Sequence, residues 1–266
     1  MQTVYIGNTL INDIFLGNKR MDDAIQPPAA YTIEYLLVAA GGSGIKGTDS
    51  FVRNGGGGGG GGLISGSLTL LPSTNYPIVV GAARLTYGDN GNDSTAFSLT
   101  AVGGGGGARL TGASGGSGGG GGTGAGGGAT SGQGNSGGAG GSNTGGGGGG
   151  AASAGAAGGA SGGAKGGNGL PSLISGTQIY YSAGGSGGGS NGYPTNVTEG
   201  GTGYGSPGSG GYGYSGGQQG TAAYGFDGIC IIRYLGPQRG TGGTVTTDGA
   251  YTIHTFNAGS TTYYSN

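Results

Sequence analysis

Apolar residues are gathered in short runs towards the two ends of the chain, and a long stretch between them has almost none. Five runs mix alternating with continuous apolar positions: YTIEYLLVAA (31–40), LISGSLTLLP (63–72), YPIVVGA (76–82), STAFSLTAV (94–102) and GICIIRYL (228–235). Such mixtures are typical of strands in a packed sheet. We therefore predict a β domain over residues 29–102 that residues 226–237 complete, with the last run pairing with the early ones.

The two ends of the chain add smaller β units to this domain. Residues 241–266 alternate as a hairpin or meander does, which predicts a C-terminal β tail over residues 238–266. Residues 1–28 hold a repeat, VYIGNTLIND followed by IFLGNKRMDD, and each copy predicts a short β run with a Gly-Asn turn. So small a unit is not stable alone, so it is either a strand of the main domain or an attachment module. As a module it offers these contact residues to a larger assembly: Tyr5, Ile6, Ile14, Phe15 and Leu16.

Residues 103–225 form a tract dominated by glycine, which supplies 81 of the 266 residues of the chain. No aromatic residue occurs between Phe97 and Tyr180, and Leu110 is the only large aliphatic residue over 103–169. A core of packed side chains cannot be built from such a segment. A disordered linker is one alternative. However, the tract has only three charged residues, and its spacers include Ala, Thr, Asn and Gln as well as Ser.

Collagen and polyglycine II are two helices known for glycine-rich chains. Collagen is disfavoured, because the three-residue frame of glycines breaks at Thr130 and no proline lies between Pro77 and Pro171. A polyglycine II helix leaves every N–H free to bind a neighbouring helix, and the missing Cβ allows close approach. We therefore predict a bundle of polyglycine II helices. The predicted turns of this bundle are the clusters at residues 133–136, 142–144 and 151–154.

The chain offers little material for catalysis or for a cofactor. The single histidine, His254, lies in an alternating strand pattern, and the acidic residues form no pairs at helical spacing. Glycine patterns like those of nucleotide-binding loops lack the strand–helix context that such loops need. The sequence GDNGND (88–93) does not have the spacing of a calcium loop and is more typical of a hairpin. We therefore expect a protein that is not an enzyme and that binds no metal or cofactor.

Charge and cysteine content further limit the partners and cellular locations that we expect for the protein. The formal net charge is −1 and the basic residues form no stripe, so nucleic acid is not an expected partner. Cys230 is the one cysteine, and its apolar surroundings in the sequence predict a buried thiol. No apolar run is long enough to span a membrane, and the start MQTVYIGNTL does not have the pattern of a signal peptide.

A tyrosine-rich stretch over residues 190–214 offers the best material for binding. It combines Tyr, Ser, Gly and Asn, the composition of antibody paratope loops, in which tyrosine supplies rigid contact area. The alternative is that these tyrosines only cover the glycine bundle. The residues we expect to contact a ligand are Asn191, Tyr193, Asn196, Tyr204, Tyr212 and Tyr214.

The order of these motifs resembles the glycine-rich domain of bacteriophage structural and tail-fibre proteins. The likeness covers residues 31–256 through YLLVAAGGSG, LISGSLTLLPSTNYPIVVGA, the glycine tract, GICIIRYL and TGGTVTTDGAYTIHTF. It implies a sandwich of polyglycine II helices, as in the distal tail-fibre adhesins of T-even-like phages, whose connecting loops contact the host surface. The extracellular glycine-rich region of anaplastic lymphoma kinase is a remoter analogue. The repeated start of the chain resembles short attachment modules of virion proteins.

Three functions are expected from the residues and the resemblance together. The first is a bacteriophage virion protein of the tail-fibre or adhesin type, attached through residues 1–28 to other virion proteins. Loops of its glycine tract would bind a bacterial surface glycan or an outer-membrane protein, and several copies would associate. The second is an architectural capsid or tail decoration protein without a ligand. The third is a cellular surface or matrix protein, which the start of the chain disfavours.

Overall fold

A computed structural model shows a chain of β-strands and extended glycine segments. It describes residues 29–47, 54–159, 163–189, 200–214 and 222–266, together with the backbone of four short strands nearer the N-terminus. No α-helix occurs in these parts of the chain, so the fold is mostly β with non-regular segments, as predicted. Among these residues there is accordingly no helix that is long and apolar enough to cross a membrane.

Two separate hairpins lie in the N-terminal repeat. β1 (Val4–Ile6) pairs with β2 (Thr9–Ile11), and β3 (Phe15–Leu16) pairs with β4 (Lys19–Arg20). Each hairpin encloses one Gly-Asn dipeptide, so the repeat in sequence is also a repeat of β-hairpins. Neither hairpin shares a sheet with any other strand that the structure describes.

The described residues from 29 onwards contain the remaining strands. They are β5 (Tyr31–Val38), β6 (Leu63–Leu70), β7 (Thr74–Val80), β8 (Ser94–Ala96), β9 (Leu99–Ala101), β10 (Leu170–Ser172), β11 (Ile179–Tyr181), β12 (Ile229–Leu235), β13 (Gly240–Thr241), β14 (Thr244–Asp248), β15 (Tyr251–Phe256) and β16 (Gly259–Ser265).

Ten of these strands form two antiparallel sheets of five strands each. The first sheet has the order β14-β15-β12-β5-β6, and the second has the order β13-β16-β7-β8-β9. At the centre of the first sheet, Ile231 of β12 lies opposite Leu36 of β5, which confirms the predicted pairing with an early strand. The C-terminal residues contribute strands to both sheets.

The sequence predicts one strand over residues 94–102, but the structure has two. β8 and β9 form a tight hairpin whose turn residues, Phe97 and Ser98, have φ angles of 54° and 62°. Two consecutive residues of positive φ match the twist of the flanking strands. Phe and Ser rarely adopt this conformation, so the residue types gave no indication of the turn.

The two sheets pack face to face around a side-chain core. Leu37 of β5 and Ile232 of β12 meet Ile78 of β7 and Tyr263 of β16 there, and all four are buried. Tyr263 shares a hydrogen bond with Tyr31, and the two phenol oxygens lie 2.6 Å apart. Burial raises the pKa of Tyr263, so its hydroxyl stays protonated. This part of the chain is therefore a β-sandwich.

Cys230 and His254 are buried in this sandwich. Cys230 is fully buried, which confirms the predicted buried thiol, and this burial raises its pKa to about 12. His254 has Nδ1 at 2.8 Å from the carbonyl oxygen of Gly242 and Nε2 at 2.9 Å from the hydroxyl of Tyr234. A carbonyl only accepts, so Nδ1 carries the proton and Nε2 accepts from Tyr234. Burial lowers the pKa of His254, so the ring is a neutral part of the core.

The hairpin β10–β11 covers the outer face of the first sheet next to the glycine tract. Its Ile174 and Tyr181 pack with Leu36 and Val38 of β5 and with Ile231 of β12. The first sheet is thus covered on both faces in this region. For that reason the runs LLVAA and ICII are buried at every position instead of alternating.

Strands of the first sheet continue directly into glycine segments. β5 leads into residues 39–47, residues 54–62 lead into β6, and residues 222–228 lead into β12. The glycine bundle therefore extends the sandwich end to end and is held by the same strands.

Residues 54–62 have the hydrogen-bond pattern of a polyglycine II helix. Their N–H groups point in three directions that repeat every third residue, with N···O distances of 2.7–3.1 Å. The donor–acceptor pairs are Gly56–Ala108, Gly59–Gly105 and Gly62–Val102, then Gly57–Gly146 and Gly60–Gly149, then Gly58–Gly211 and Gly61–Gly208. A period of three residues is that of the polyglycine II helix. None of the glycines in this segment has positive φ.

Three other segments donate hydrogen bonds to the carbonyl groups of residues 54–62. Gly42, Ser117 and Gly185 each donate from 2.9 Å, to Gly59, Gly60 and Gly58 respectively. The segment thus has six neighbours, and its buried backbone groups are paired laterally. The same threefold pattern recurs in residues 145–151, which donate to residues 182–188, 118–121 and 153–156. This confirms the predicted polyglycine II bundle.

The bundle is larger than the predicted tract of residues 103–225. It also includes the three segments that continue the first sheet, and residues 88–93. Residues 88–93 do lie in the connection between the antiparallel strands β7 and β8, as a hairpin predicts. This connection is long, and in it Gly88 donates to Gly44 and Gly91 donates to Gly104. The side chains of Asn90 and Asp93 accept N–H bonds from neighbouring glycines, so GDNGND is a bundle segment.

Small polar and alanine clusters form turns of the bundle, as predicted. The chain bends at residues 131–133, 142–144 and 151–153, so the first turn lies slightly earlier than the expected 133–136. Gly132 has a φ of 75° and reverses the chain there. The side chain of Asn135 then donates to the carbonyl groups of Gly150 and Ala151, which pairs backbone groups that the turn leaves open.

A side chain at Gly147 should disrupt the bundle. A Cβ there would overlap the carbonyl oxygen of Lys165, a backbone atom that cannot move without breaking its own hydrogen bond. We expect Gly147→Val to cost about 3 kcal/mol or more of unfolding free energy. The control is Ser142→Ala at an exposed bend, which should stay within about 0.5 kcal/mol. Equal thermal melting curves for the two variants would contradict the bundle.

Candidate functional site

Both ends of the described domain lie at the end of the sandwich that faces away from the bundle, which we call the base. The Tyr31 hydroxyl donates to the carbonyl of Arg239 at 3.0 Å, and the N–H of Asn266 donates to the same carbonyl at 2.9 Å. Residues 29–30, which connect the N-terminal hairpins to β5, therefore leave the domain at the base.

The opposite end of the molecule, which we call the loop end, holds the connections between glycine segments that lie farthest from the sandwich. The bends that lie there are at residues 109–111, 122–124 and 142–144. The described residues that border 48–53, 160–162 and 215–221 lie there as well, as does Gly189 before 190–199, whereas Gly201 after that range donates to Gly184 nearer the sandwich. β5 and residues 39–47 run from base to loop end, and together they span about 50 Å.

Hydrogen bonds join these connections into one surface. The links are Gly47 N to Tyr214 O at 2.7 Å, Gly188 N to Gly55 O at 2.8 Å, Asn54 Nδ2 to Gly141 O at 2.9 Å, Thr144 Oγ1 to Gly159 O at 2.9 Å and Arg109 Nε to Lys46 O at 2.9 Å. The positions at the loop end are therefore fixed relative to one another by the bundle beneath them.

Three of the six residues predicted to contact a ligand have a described position. Asn191, Tyr193 and Asn196 lie outside the described residues. Tyr204 and Tyr212 are half-buried, whereas Tyr214 is only 3% exposed. Residues 208–214 form a bundle segment, with Gly210 donating to Ala183 and Gly213 donating to Ser186.

Tyr204 and Tyr214 pack against the bundle. The Tyr204 ring meets Phe226 edge to face at a centroid distance of 5.7 Å. Burial and the neighbouring Tyr212 raise the pKa of Tyr204 to about 12. The ammonium group of Lys46 lies 6.0 Å from the centroid of the Tyr214 ring. These contacts give Tyr204 and Tyr214 a packing role in the structure.

An exposed aromatic pair near the loop end comes from two residues that the sequence analysis missed. Tyr87 and Tyr224 stack with ring centroids 4.8 Å apart and planes at 16°. They are 37% and 36% exposed. A hydrogen bond with Tyr87 raises the pKa of Tyr224. Gly44 holds both tyrosines in place through their chain neighbours. The N–H of Gly88 donates to the carbonyl of Gly44, and the N–H of Gly44 donates to the carbonyl of Ala223.

The loop that carries Tyr87 also carries charged and amide groups. Arg84 donates to the Asn92 side chain at 3.1 Å and lies 4.0 Å from the Asp89 carboxylate. Asp227 accepts the N–H of Ala83 at 2.6 Å, which ties the loop before Tyr87 to the bundle. Leu85 in the same loop is 75% exposed.

A dipeptide in the sequence marks these positions. Glycine directly follows each of Tyr87, Tyr204, Tyr212 and Tyr224. These four tyrosines lie outside any alternating apolar run, and in the structure they lie on the surface of the glycine bundle. This signal would have added the Tyr87–Tyr224 pair to the candidates.

The arrangement suits binding. The exposed parts of the stacked phenol rings offer apolar contact area, and the neighbouring guanidinium and carboxylate groups offer hydrogen bonds.

The part of the chain that the structure describes holds no group of three His, Cys, Asp or Glu side chains placed to bind a metal. Of the attachment candidates, Tyr5 and Ile6 lie in β1, and Phe15 and Leu16 lie in β3. Ile14 lies outside the described residues.

Comparison with known proteins points to one family. No curated protein and no solved structure matches the sequence. A family model described as a glycine-rich domain matches residues 22–235, which include the first sheet up to β12 and the glycine bundle. The chain therefore belongs to the glycine-rich domain family.

Proposed function

We propose that this protein is a bacteriophage virion component of the tail-fibre or adhesin type. In this proposal the hairpins of residues 1–28 bind other virion proteins, and the loop end binds a bacterial surface glycan or an outer-membrane protein. The observation that carries the proposal is the separation of the two ends. The chain from the N-terminal hairpins enters at the base, and the loop end lies about 50 Å away.

The glycine bundle suits such a role because it is a spacer without a side-chain core. Its sides present mostly backbone, so recognition depends on the few side chains at and near the loop end. Tyr87, Tyr224 and the half-buried Tyr212 are the described aromatic residues there that keep exposed area. Aromatic anchors often dominate the affinity of a binding surface. Several copies on one particle would strengthen weak single contacts.

An architectural role without a ligand is the second candidate. It is favoured by the packing of Tyr204 against Phe226 and by the burial of Tyr214. Both tyrosines belong to the stretch whose composition indicated binding, and both cover glycine segments. In this architectural role the molecule would be a rigid decoration of the capsid or tail.

Removing residues 1–26 should separate folding from attachment. The sandwich and bundle contain their own core, and β5 begins only at Tyr31, so the shortened chain should stay soluble and folded. We expect its melting curve to match that of the full chain, while its incorporation into particles falls to background. Normal incorporation of the shortened chain would show that the hairpins are not the attachment module.

The exposed tyrosine pair provides the direct test of host binding. We expect Tyr87→Ala with Tyr224→Ala to reduce adsorption of particles to host cells by at least about tenfold, as the loss of an aromatic anchor does. The matched control is Tyr264→Ala in β16 near the base, since Tyr264 is 37% exposed and Tyr224 is 36% exposed. The control should adsorb normally. Unchanged adsorption with the double variant, together with a lowered melting temperature, would favour the architectural role.

A further inference from the structure

The two sheets of the sandwich have very different edges. The edge strands of the second sheet, β9 and β13, have three and two residues, whereas β6 and β14 of the first sheet have eight and five. Proteins usually protect long edges with charge, proline or a bulge. β6 (LISGSLTL) has neither charge nor proline, and β14 (TVTTD) has Asp248 only at its end. Every residue of β14 is exposed.

On the outer edge of β6, a run of backbone groups without hydrogen-bond partners among the described residues lies between two residues whose N–H groups are paired. The N–H of Leu63 donates to Gln133 at 3.0 Å, and the N–H of Leu71 donates to the Tyr76 hydroxyl at 2.8 Å. Alternate residues of a strand direct their backbone groups to the same side, so Ser65, Ser67 and Thr69 also direct theirs away from β5. Within the described chain these backbone groups form no hydrogen bond.

The outer edge of β14 also presents backbone groups that can pair with those of β6. β14 and β15 form a hairpin with a two-residue turn, in which Asp248 lies opposite Tyr251. In such a hairpin Asp248, Thr246 and Thr244 exchange hydrogen bonds with β15. The backbone groups of Val245 and Thr247 therefore point outwards.

The two edges also run in the same direction. Successive antiparallel pairings from β6 through β5, β12 and β15 to β14 make both edge strands run from the bundle towards the base. Copies that stand side by side with their loop ends together therefore bring β6 of one copy beside β14 of the next, in parallel. In a parallel ladder, a residue bonds to the residues before and after the one opposite to it.

We propose that this protein self-associates through β6 of one copy and β14 of the next. Ser67 lies opposite Thr246 of the neighbouring copy, and its N–H and C=O bond to Val245 and Thr247 of that copy. The C=O of Ser65 and the N–H of Thr69 complete four hydrogen bonds. The contact joins two unlike edges, so it does not close with two copies and builds a ring of three or more or an open filament. All loop ends then point the same way.

The register of this contact provides a charge test. It places Thr69 directly opposite Asp248 of the neighbouring copy, on the outer face of the sheet. Within one copy Thr69 lies opposite the uncharged Thr32. Thr69→Lys should therefore strengthen association and Thr69→Glu should weaken it, with an overall difference of about fivefold per contact. Combining Thr69→Glu with Asp248→Lys should restore association.

The experiment is sedimentation velocity on the full chain and these variants at about 100 µM, above the micromolar dissociation constants of small interfaces. We expect a wild-type mass of at least three times 24.8 kDa. A wild-type monomer at this concentration would overturn the proposal. A species of only two copies would indicate self-pairing of β6 and would also overturn it. The two variants are compared over a dilution series from about 100 µM to about 1 µM, because a fivefold difference is visible only near the dissociation constant. Equal dissociation constants for Thr69→Lys and Thr69→Glu would also overturn the proposal, and melting curves would confirm that each variant is folded. The result is independent of host binding.

Discussion

Hydrogen bonds between glycine backbones are the constraint on which the rest of this structure depends. In residues 54–62 successive N–H groups reach three different neighbours, and three more segments donate to their carbonyl groups. Such packing requires that no Cβ stand between the segments, which explains why glycine supplies 81 residues. Each bond adds only about 1 kcal/mol net, and glycine loses more conformational freedom on folding than other residues. The bundle is therefore stable only as a cooperative set of segments.

The sandwich provides the order that the glycine segments cannot provide alone. β5, β6 and β12 are held in register by their own pairing and by a buried core, and each continues into a glycine segment. The first hydrogen bonds of the bundle, such as Ala39 to Gly62, extend the β5–β6 ladder. The same continuity makes the molecule long, with its chain entry at the base and the far bundle connections at the loop end.

Much of the fold was predictable from the sequence, whereas the exposed site was not. Apolar runs indicated the strands of the first sheet, and the lack of any side-chain core indicated a glycine bundle. The hairpin turn at Phe97 and Ser98 was missed because these residue types do not favour positive φ. GDNGND connects two antiparallel strands as expected, but it does so as a bundle segment, because its Asn and Asp serve as hydrogen-bond acceptors for bundle glycines. The pairing of Tyr87 with Tyr224 joins positions far apart in the chain, which local patterns do not reveal.

Amide hydrogen exchange of the glycine residues, followed by NMR, tests the central claim most directly. If the glycine runs are the core of the bundle, the N–H groups of residues 56–62 should exchange as slowly as those of β5, because both open only when the cooperative unit unfolds. Exposed bends such as Ser142 should exchange fast in the same sample. Glycine amides that exchange at the rate of an unfolded peptide, while β5 stays protected, would contradict the account.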